Sequence, residues 1–473
     1  MALKLDMRWF LALCFLIASA EPPHAFSAEH HGNTLTHQGD HRYRPSRHPD
    51  RLIIVPGEDA AHSVSINWRT SASVRQTVVQ WTQALDTPGL HLAAKTALGS
   101  SQWLKTVNGA GRHHSVRLEG LQPETLYAYR VRGDGTWSEW FQFRTAPAEF
   151  KPFSFLYFGD AQNSIRSHFS RVIRQGFRDE PTVALMLHAG DLVNQRAGNH
   201  DDEWGEWFEA GGFLHGMIPT LPVSGNHEYI SRRLPSGTER RTLGPHWSRQ
   251  FTIPRNGPVG FEDTVYFVRY SGVLFVVLDS MRAVDDPEAA IIQARWLDDV
   301  LDREKARWVI VSHHHPIFSV ALGRDNPSLR EHWLPIYERR GVDLVLQGHD
   351  HAYGRGRNLV EGRTVTQGEG GPVFVVSVAG PKQYIAAESA RSGLQLIGED
   401  MQLYQSIQIE FDRIRYQSKT VAGRVYDAFD IVYLPNGEKR VVSDLSSHTP
   451  QTRCGNLKRP AQNRCWEGNE FVN

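Results

Sequence analysis

A chain of 473 residues is longer than one hydrophobic core usually serves, so two domains are expected. Hydrophobic residues make up 40% and charged residues 22%, the balance of a folded globular protein rather than a disordered or fibrous one. Lys+Arg and Asp+Glu both number 52, so the net charge is zero and no nucleic-acid-binding surface is evident. Histidine is plentiful at 23, which raises the expectation of metal chemistry.

At the N-terminus, Lys4 and Arg8 precede an apolar run from Trp9 to Ala20, with small residues at Ala18-Ser19-Ala20 and Ala25 to Ala28. This order reads as a signal peptide over residues 1–28, too short to span a bilayer, and predicts an exported protein, periplasmic or secreted. Cys14 leaves with that segment. Cys454 and Cys465 remain, close together in a Gly/Asn/Pro-rich stretch, and read as one local disulfide. No later run is apolar enough for a membrane span after signal removal. Residues 29–49, rich in His, Gly and Arg, read as a flexible lead-in, and His30 and His31 as a solvated tract.

From residue 50 to 147 the pattern is all-β. Val64, Ile66 and Trp68 alternate with polar residues, as do Tyr127, Tyr129 and Val131, and Phe141 with Phe143 closes the set. Short strands between turn residues predict an immunoglobulin-like or fibronectin-III-like β-sandwich. It holds no cluster of reactive residues, so it reads as a structural or spacing domain ending near Thr145-Ala146-Pro147.

Residues 148–435 change rhythm. Phe153 to Phe158 reads as a strand, and Ile165, Phe169, Val172, Ile173 and Phe177 recur at helical spacing. Val183 to Leu187, Val273 to Leu278, Trp308 to Val311 and Val342 to Leu346 read as strands. The Trp204/Trp207/Phe208 stretch, Ala289 to Leu301 and Leu329 to Arg339 read as helices. The alternation predicts a layered α/β domain. A β-rich stretch from Ser406 to Tyr433 closes it, and residues 436–473 form a tail with the disulfide.

Five polar motifs follow apolar strands directly, where α/β folds build their sites. They are Gly159-Asp160, Gly190-Asp191, Gly225-Asn226-His227-Glu228, Val311-Ser312-His313-His314-His315 and Gly348-His349-Asp350-His351. The glycines let the backbone turn sharply and approach an ion or a phosphate. Asp, Asn and His supply hard oxygens and imidazole nitrogens without thiolates, which points to Fe, Mn or Zn. Any one motif is weak, but five in order at strand ends form a specific set.

This ordered set resembles the calcineurin-like metallophosphoesterases, and the preceding sandwich resembles the purple acid phosphatase branch. The resemblance covers about Arg51 to Tyr433. It implies a sandwich packed on an α/β catalytic domain of two sheets flanked by helices, with two metal ions about 3.5–4 Å apart. By position, Asp160 and His351 would bind the first ion, Asp191 would bridge, and Asn226, His314 and His349 would bind the second. His227 would contact phosphate or protonate the leaving alkoxide, the alternative being a histidine bonded to a carboxylate such as Glu228. Gln162, Asn194 and His315 are further candidates to touch an ion or to orient its ligands. Tyr353 and Arg355 would shape the rim or anchor the loop.

The sequence departs from the branch in three places. Purple members carry a tyrosine three residues after the bridging Asp, where this chain has Asn194, and a neutral amide predicts two divalent ions or a less firmly held ferric ion. Gln162 stands where purple members have Gly and other metallophosphoesterases often have His. The loop Val320-Ala321-Leu322-Gly323-Arg324 lacks the histidine pair of plant members, which leaves Arg324 or His332 for substrate handling. The implied activity is a phosphomonoesterase acting on a small-molecule phosphate ester through a metal-activated hydroxide. A phosphodiesterase on nucleotide or phospholipid head groups uses the same metals, and a catalytically silent fibronectin-III-type binding protein is the reading from a different class.

Overall fold

Val64, Ile66 and Trp68 point into the core of an eight-stranded β domain, where they meet Val79, Tyr127, Tyr129, Val131 and Phe143 from the facing sheet. The computed structural model describes residues 34–36, 40–194, 201–233, 239–356, 359–360, 363–364, 372–443, 453–454 and 464–466. The signal peptide expected over 1–28, His30 and His31, and most of the tail lie outside the described residues. One sheet of the β domain runs Asp50–Pro56, Val64–Ser71, Gly109–Leu118, Ser100–Thr106. The other runs Lys95–Leu98, Val78–Gln83, Leu126–Val131, Phe141–Arg144. All neighbours are antiparallel.

The alternation in Val64–Ser71 predicts one buried face, but the strand is buried on both. Asn67 and Arg69 point away from the sandwich core and are covered by the second domain. Thr252 Oγ1 donates to Asn67 Oδ1 at 2.6 Å. Arg51 Nη1 and Arg69 Nη1 reach Asp201 at 2.7 and 3.3 Å, and Asn108 Nδ2 donates to the same carboxylate at 3.0 Å. Buried charges persist only when paired, so Asp201 ties the domains together. The expected flexible lead-in is likewise anchored over residues 40–49. Tyr43 is buried, its hydroxyl donates to Glu209 Oε2 at 3.0 Å, and its carbonyl accepts from Arg69 Nη2 at 2.9 Å.

The second domain stacks two seven-stranded sheets. The first runs Thr220–Pro222, Leu185–His188, Phe153–Phe158, Leu403–Ile409, Arg413–Thr420, Val425–Tyr433, Lys439–Ser443. The second runs Tyr266–Tyr270, Val273–Val277, Trp308–Ser312, Leu344–Gln347, Val373–Val376, Tyr353–Gly356, Leu396–Gly398. Thr220–Pro222, Leu185–His188 and Phe153–Phe158 are parallel in the first sheet, as are the four strands from Val273–Val277 to Val373–Val376 in the second, and they are mostly apolar because both faces are covered. Phe155, Leu187, Phe275, Ile310, Leu346 and Ile407 belong to the inner core, while Leu274, Val276, Leu297 and Trp333 pack on the outer side of the second sheet. Helix Ile165–Asp179 buries Ile165, Phe169, Val172 and Ile173, the stripe its spacing predicts.

The single helix expected over Leu329 to Arg339 is two, Pro327–His332 and Leu334–Arg340. Pro335, at the start of the second, has no N–H to continue the ladder of the first. The first sheet also runs past residue 435, since Lys439–Ser443 pairs with Val425–Tyr433. Cys454 and Cys465 are joined with their Cα atoms 5.4 Å apart, and Arg464–Trp466 pairs with Gln383–Tyr384. Among the described residues, no helix is long and apolar enough to cross a membrane.

Candidate metal centre

Five strand ends converge on one point. Phe153–Phe158, Leu185–His188 and Thr220–Pro222 run parallel in one sheet, Trp308–Ser312 and Leu344–Gln347 in the other. The turns after them carry Asp160, Asp191, Asn226, His314 and the His349/His351 pair. Asp191, His349 and His351 hold φ at +50°, +73° and +48°, a left-handed region that residues with side chains seldom adopt. Such strain persists only where the surroundings impose it, and here it aims three side chains inward. Two glycines permit the approach: a Cβ on Gly225 would stand 2.3 Å from Asp191 Oδ1, and one on Gly348 2.4 Å from Asp160 Oδ1.

His314 Nε2 lies 3.1 Å from Asp191 Oδ2, 3.2 Å from Asn226 Oδ1 and 3.1 Å from His349 Nδ1. On the other side of Asp191, His351 Nε2 lies 3.3 Å from Asp160 Oδ2. The ligand atoms of Asp191, His314 and His349 all fall within 4.8 Å of one another, and so do those of Asp160, Asp191 and His351. The two clusters share Asp191. All six residues predicted as ligands are therefore brought together.

Outer contacts orient the rings. His314 Nδ1 faces the carbonyl of Ala189 at 2.9 Å and His351 Nδ1 that of Lys382 at 3.0 Å. A proton held there leaves each Nε2 lone pair facing the centre. Burial pushes Asp160 up to about 7, with the charge of Asp191 adding to it and His314 opposing. Burial also acts to raise Asp191, yet His314 and His227 hold it well below the usual carboxylate range. For His314 burial works downward, but Asp191 and Asp160 bring it up to about 9. Two carboxylates in a dry site need positive charge between them.

Gln162 fits the same demand. Its Nε2 lies 2.9 Å from Asp191 Oδ2, 2.9 Å from His351 Nε2 and 3.4 Å from Asp160 Oδ2, while its buried Oε1 has no hydrogen-bond partner. An orphaned amide oxygen beside two carboxylates and an imidazole, with no thiolate near, suits a hard or borderline divalent cation.

The other predicted residues sit around this centre. His227 Nδ1 bonds the carbonyl of Asn194, its backbone N–H donates to Asp191 Oδ1 at 2.8 Å, and its Nε2 lies 3.8 Å from Asp191 Oδ2. Asn194 thus reaches the site through its backbone, and among the described residues its side chain bonds none of the six. His315 Nδ1 bonds Ser280 Oγ at 3.0 Å, and its ring lies 4.1 Å from that of His349, so it packs against a predicted ligand with Nδ1 turned toward Ser280. Tyr353 and Arg355 turn away. Both donate to the buried Asp427 at 2.6 Å, which makes them anchors of the loop and not its rim.

Two residues escape sequence reasoning. Glu228, weighed only as a partner for His227, instead accepts from the backbone N–H groups of Asp191, Leu192 and Gly225 at 2.9, 2.9 and 2.7 Å. Burial, followed by the charge of Asp191, pushes it up to about 8. Lys382, whose carbonyl holds His351, belongs to none of the five motifs.

The description "purple acid phosphatase, N-terminal domain" matches residues 49–145, and "calcineurin-like phosphoesterase" matches residues 153–353. An uncharacterized protein of Mycobacterium tuberculosis is 26% identical over 337 residues, 65% of this chain and 62% of that protein. Purple acid phosphatase 13 of Arabidopsis thaliana is 27% identical over 314 residues, 57% of this chain and 54% of that protein. Fe(3+)-Zn(2+) purple acid phosphatase 12 of Arabidopsis thaliana is 25% identical over 333 residues, 66% of each. The chain thus spans between 54% and 66% of the length of these three relatives. Among solved structures, a purple acid phosphatase from yellow lupin seeds aligns with a TM-score of 0.64 at 16% identity, covering 81% of this chain and 74% of that one. PhoD aligns with a TM-score of 0.61 at 14% identity, covering 86% and 95%, so both share the fold. The chain belongs to the calcineurin-like phosphoesterases, in their purple acid phosphatase-like branch.

Proposed function

We propose that this protein is a phosphomonoesterase that uses a pair of cations held by Asp160, Asp191, Asn226, His314, His349 and His351. One observation carries the reading: Asp191 belongs to both ligand clusters, so one carboxylate can join two ions. Paired cations there would supply Lewis acidity toward a phosphoryl group and lower the pKa of water.

The chain's own residues do the rest. Asp160 and His351 line one side of Asp191, and Asn226, His314 and His349 the other. The backbone carbonyls of Ala189 and Lys382 keep two imidazoles turned inward. His227 stands at the edge of the site with Nδ1 donating to the carbonyl of Asn194 and Nε2 3.8 Å from Asp191 Oδ2, and as an imidazolium it would give the Nε2 proton to the departing oxygen of the ester. The relative whose printed name carries Fe3+ and Zn2+ supports a metal pair. Asn194 offers no anionic oxygen to a ferric ion, so two divalent ions of Mn or Zn type fit better.

Export follows from residues 1–28, and a bonded Cys454–Cys465 pair suits an oxidising compartment. The N-terminal β domain is read as a fibronectin-III-like spacer whose buried ion pairs fix it to the catalytic domain. The test is hydrolysis of p-nitrophenyl phosphate beside bis-p-nitrophenyl phosphate, before and after chelation and after return of Mn2+ or Zn2+. The monoester should be cleaved faster, with activity lost to chelator and restored by metal. Preference for the bis-ester would make the protein a phosphodiesterase, and no cleavage of either with any metal would favour a silent binding protein.

A further inference from the structure

We propose that Lys382 and Arg324, set around the ring of Tyr384, form an anion subsite beside the metal centre that takes a second phosphate group of the substrate. The ligand class is one with neighbouring phosphates, such as pyrophosphate or a nucleoside diphosphate. The inference rests on the phosphoesterase reading and adds to it a site for the part of the substrate that does not react.

Lys382 is 8% exposed, and among the described residues no carboxylate or carbonyl pairs with its ammonium. Its Nζ stands 5.6 Å from the centre of the Tyr384 ring. Its aliphatic stem is packed away while the ammonium at its end is open to an incoming anion. Arg324 faces the same ring at 4.7 Å. Its Nη1 donates to the carbonyl of His349 and to Asp350 Oδ1 at 3.2 Å, which fixes the guanidinium and leaves its other N–H groups for a ligand. Asp350 offsets the charge of Arg324, which leaves the charge of Lys382 for an anion.

The position of the pair relative to the ions separates this role from that of holding the reacting group. Tyr384 packs on His351 with ring centres 4.7 Å apart. His351 turns Nε2 toward Asp160 and Nδ1 toward the carbonyl of Lys382. Neither Lys382 nor Arg324 forms an ion pair with Asp160 or Asp191, so both stand beside the cage and not within it. Arg324 donates to the carbonyl of His349, the backbone carbonyl of Lys382 faces His351 Nδ1, and both side chains stand near the Tyr384 ring. A phosphoryl group held between the ions would place an adjoining phosphate against this flank. The platform is braced from outside: Arg464–Trp466 pairs with Gln383–Tyr384, and the Arg464 guanidinium stands 5.2 Å from the Tyr384 ring.

The test uses the full-length protein with its metals and compares calorimetric binding of imidodiphosphate, which resists cleavage, with that of inorganic phosphate. Wild type should prefer imidodiphosphate by about tenfold or more, the scale of one charge-assisted contact. Lys382→Met should lose most of that preference, and Lys382→Arg should keep it within about threefold. Metal content and melting temperature are recorded alongside, and Lys382→Gln replaces the Met variant if the latter does not fold. Withdrawal of metal by the diphosphate affects all variants alike and cancels in the comparison. The proposal is overturned if Lys382→Met keeps the wild-type preference, if the Arg variant loses as much as the Met variant, or if wild type binds both anions alike. Wild type that binds neither anion overturns the phosphoesterase reading as well.

Discussion

The carboxylate of Glu228 accepts the backbone N–H of Asp191 at 2.9 Å, so the residue that ends the Gly225 to Glu228 motif also holds the carboxylate shared by both clusters. Leu192 and Gly225 donate to the same group. Glu228→Ala should therefore leave three backbone donors without a buried acceptor. The expected cost is about 3 kcal/mol or more of stability, with metal affinity lowered about 10- to 100-fold. Urea unfolding and metal titration check this. A variant with wild-type values in both would show that the contact does not organise the centre.

Gln162 separates a ligand from a hydrogen-bond donor. If its orphaned Oε1 turns to face a cation, Gln162→Glu should keep both ions, because an oxygen remains in place. Gln162→Met should weaken one of the two ions by about tenfold or more. If the amide only donates to Asp191, the Glu variant should be the weaker binder, since it loses the N–H and adds a like charge. Electron paramagnetic resonance of Mn2+-titrated protein counts the ions in each variant.

His227 should matter in proportion to the need for a proton. Its Nε2, 3.8 Å from Asp191 Oδ2, is placed for a departing alkoxide. His227→Asn should lower kcat on an alkyl phosphate by about 10²- to 10³-fold and on p-nitrophenyl phosphate by less than about tenfold. Equal losses on both esters would assign the histidine to binding or structure.

His215 makes acid stability testable away from the metal site. Burial pushes it down to about 4, against the wall formed by Trp207. The folded protein keeps the ring neutral, while the unfolded chain takes a proton below about pH 6.5. The associated stability is complete above pH 6.5 and declines as the pH falls toward 4, by about 3 kcal/mol at most. Between pH 7 and 4.5, wild type should lose about 2 kcal/mol more than His215→Gln. Parallel stability curves for the two proteins would remove His215 from the account.

Much of the centre was legible because its signals are local. Each predicted ligand follows an apolar strand within a few residues, and the position of His314 relative to Val311 and Pro316 distinguished it from His313 and His315. What escaped depends on long-range packing. Arg69 looks like the outward residue of an exposed strand, yet its partner Asp201 lies 132 residues further on. Lys382 follows His351 by 31 residues in a stretch without a motif, and only the fold brings its carbonyl to the imidazole. Glu228 was visible as a neighbour of His227, but local order could not show that its acceptors serve the turn at Asp191. The break between Pro327–His332 and Leu334–Arg340 was signalled by Pro335 and outweighed by the apolar spacing around it.

The most direct test counts metal in purified protein for wild type, His351→Ala and Asp191→Ala. Wild type should hold about two ions per chain, His351→Ala about one, and Asp191→Ala well under one, because a single carboxylate serves both positions. Two ions retained by Asp191→Ala would contradict the shared-carboxylate centre and the activity built on it.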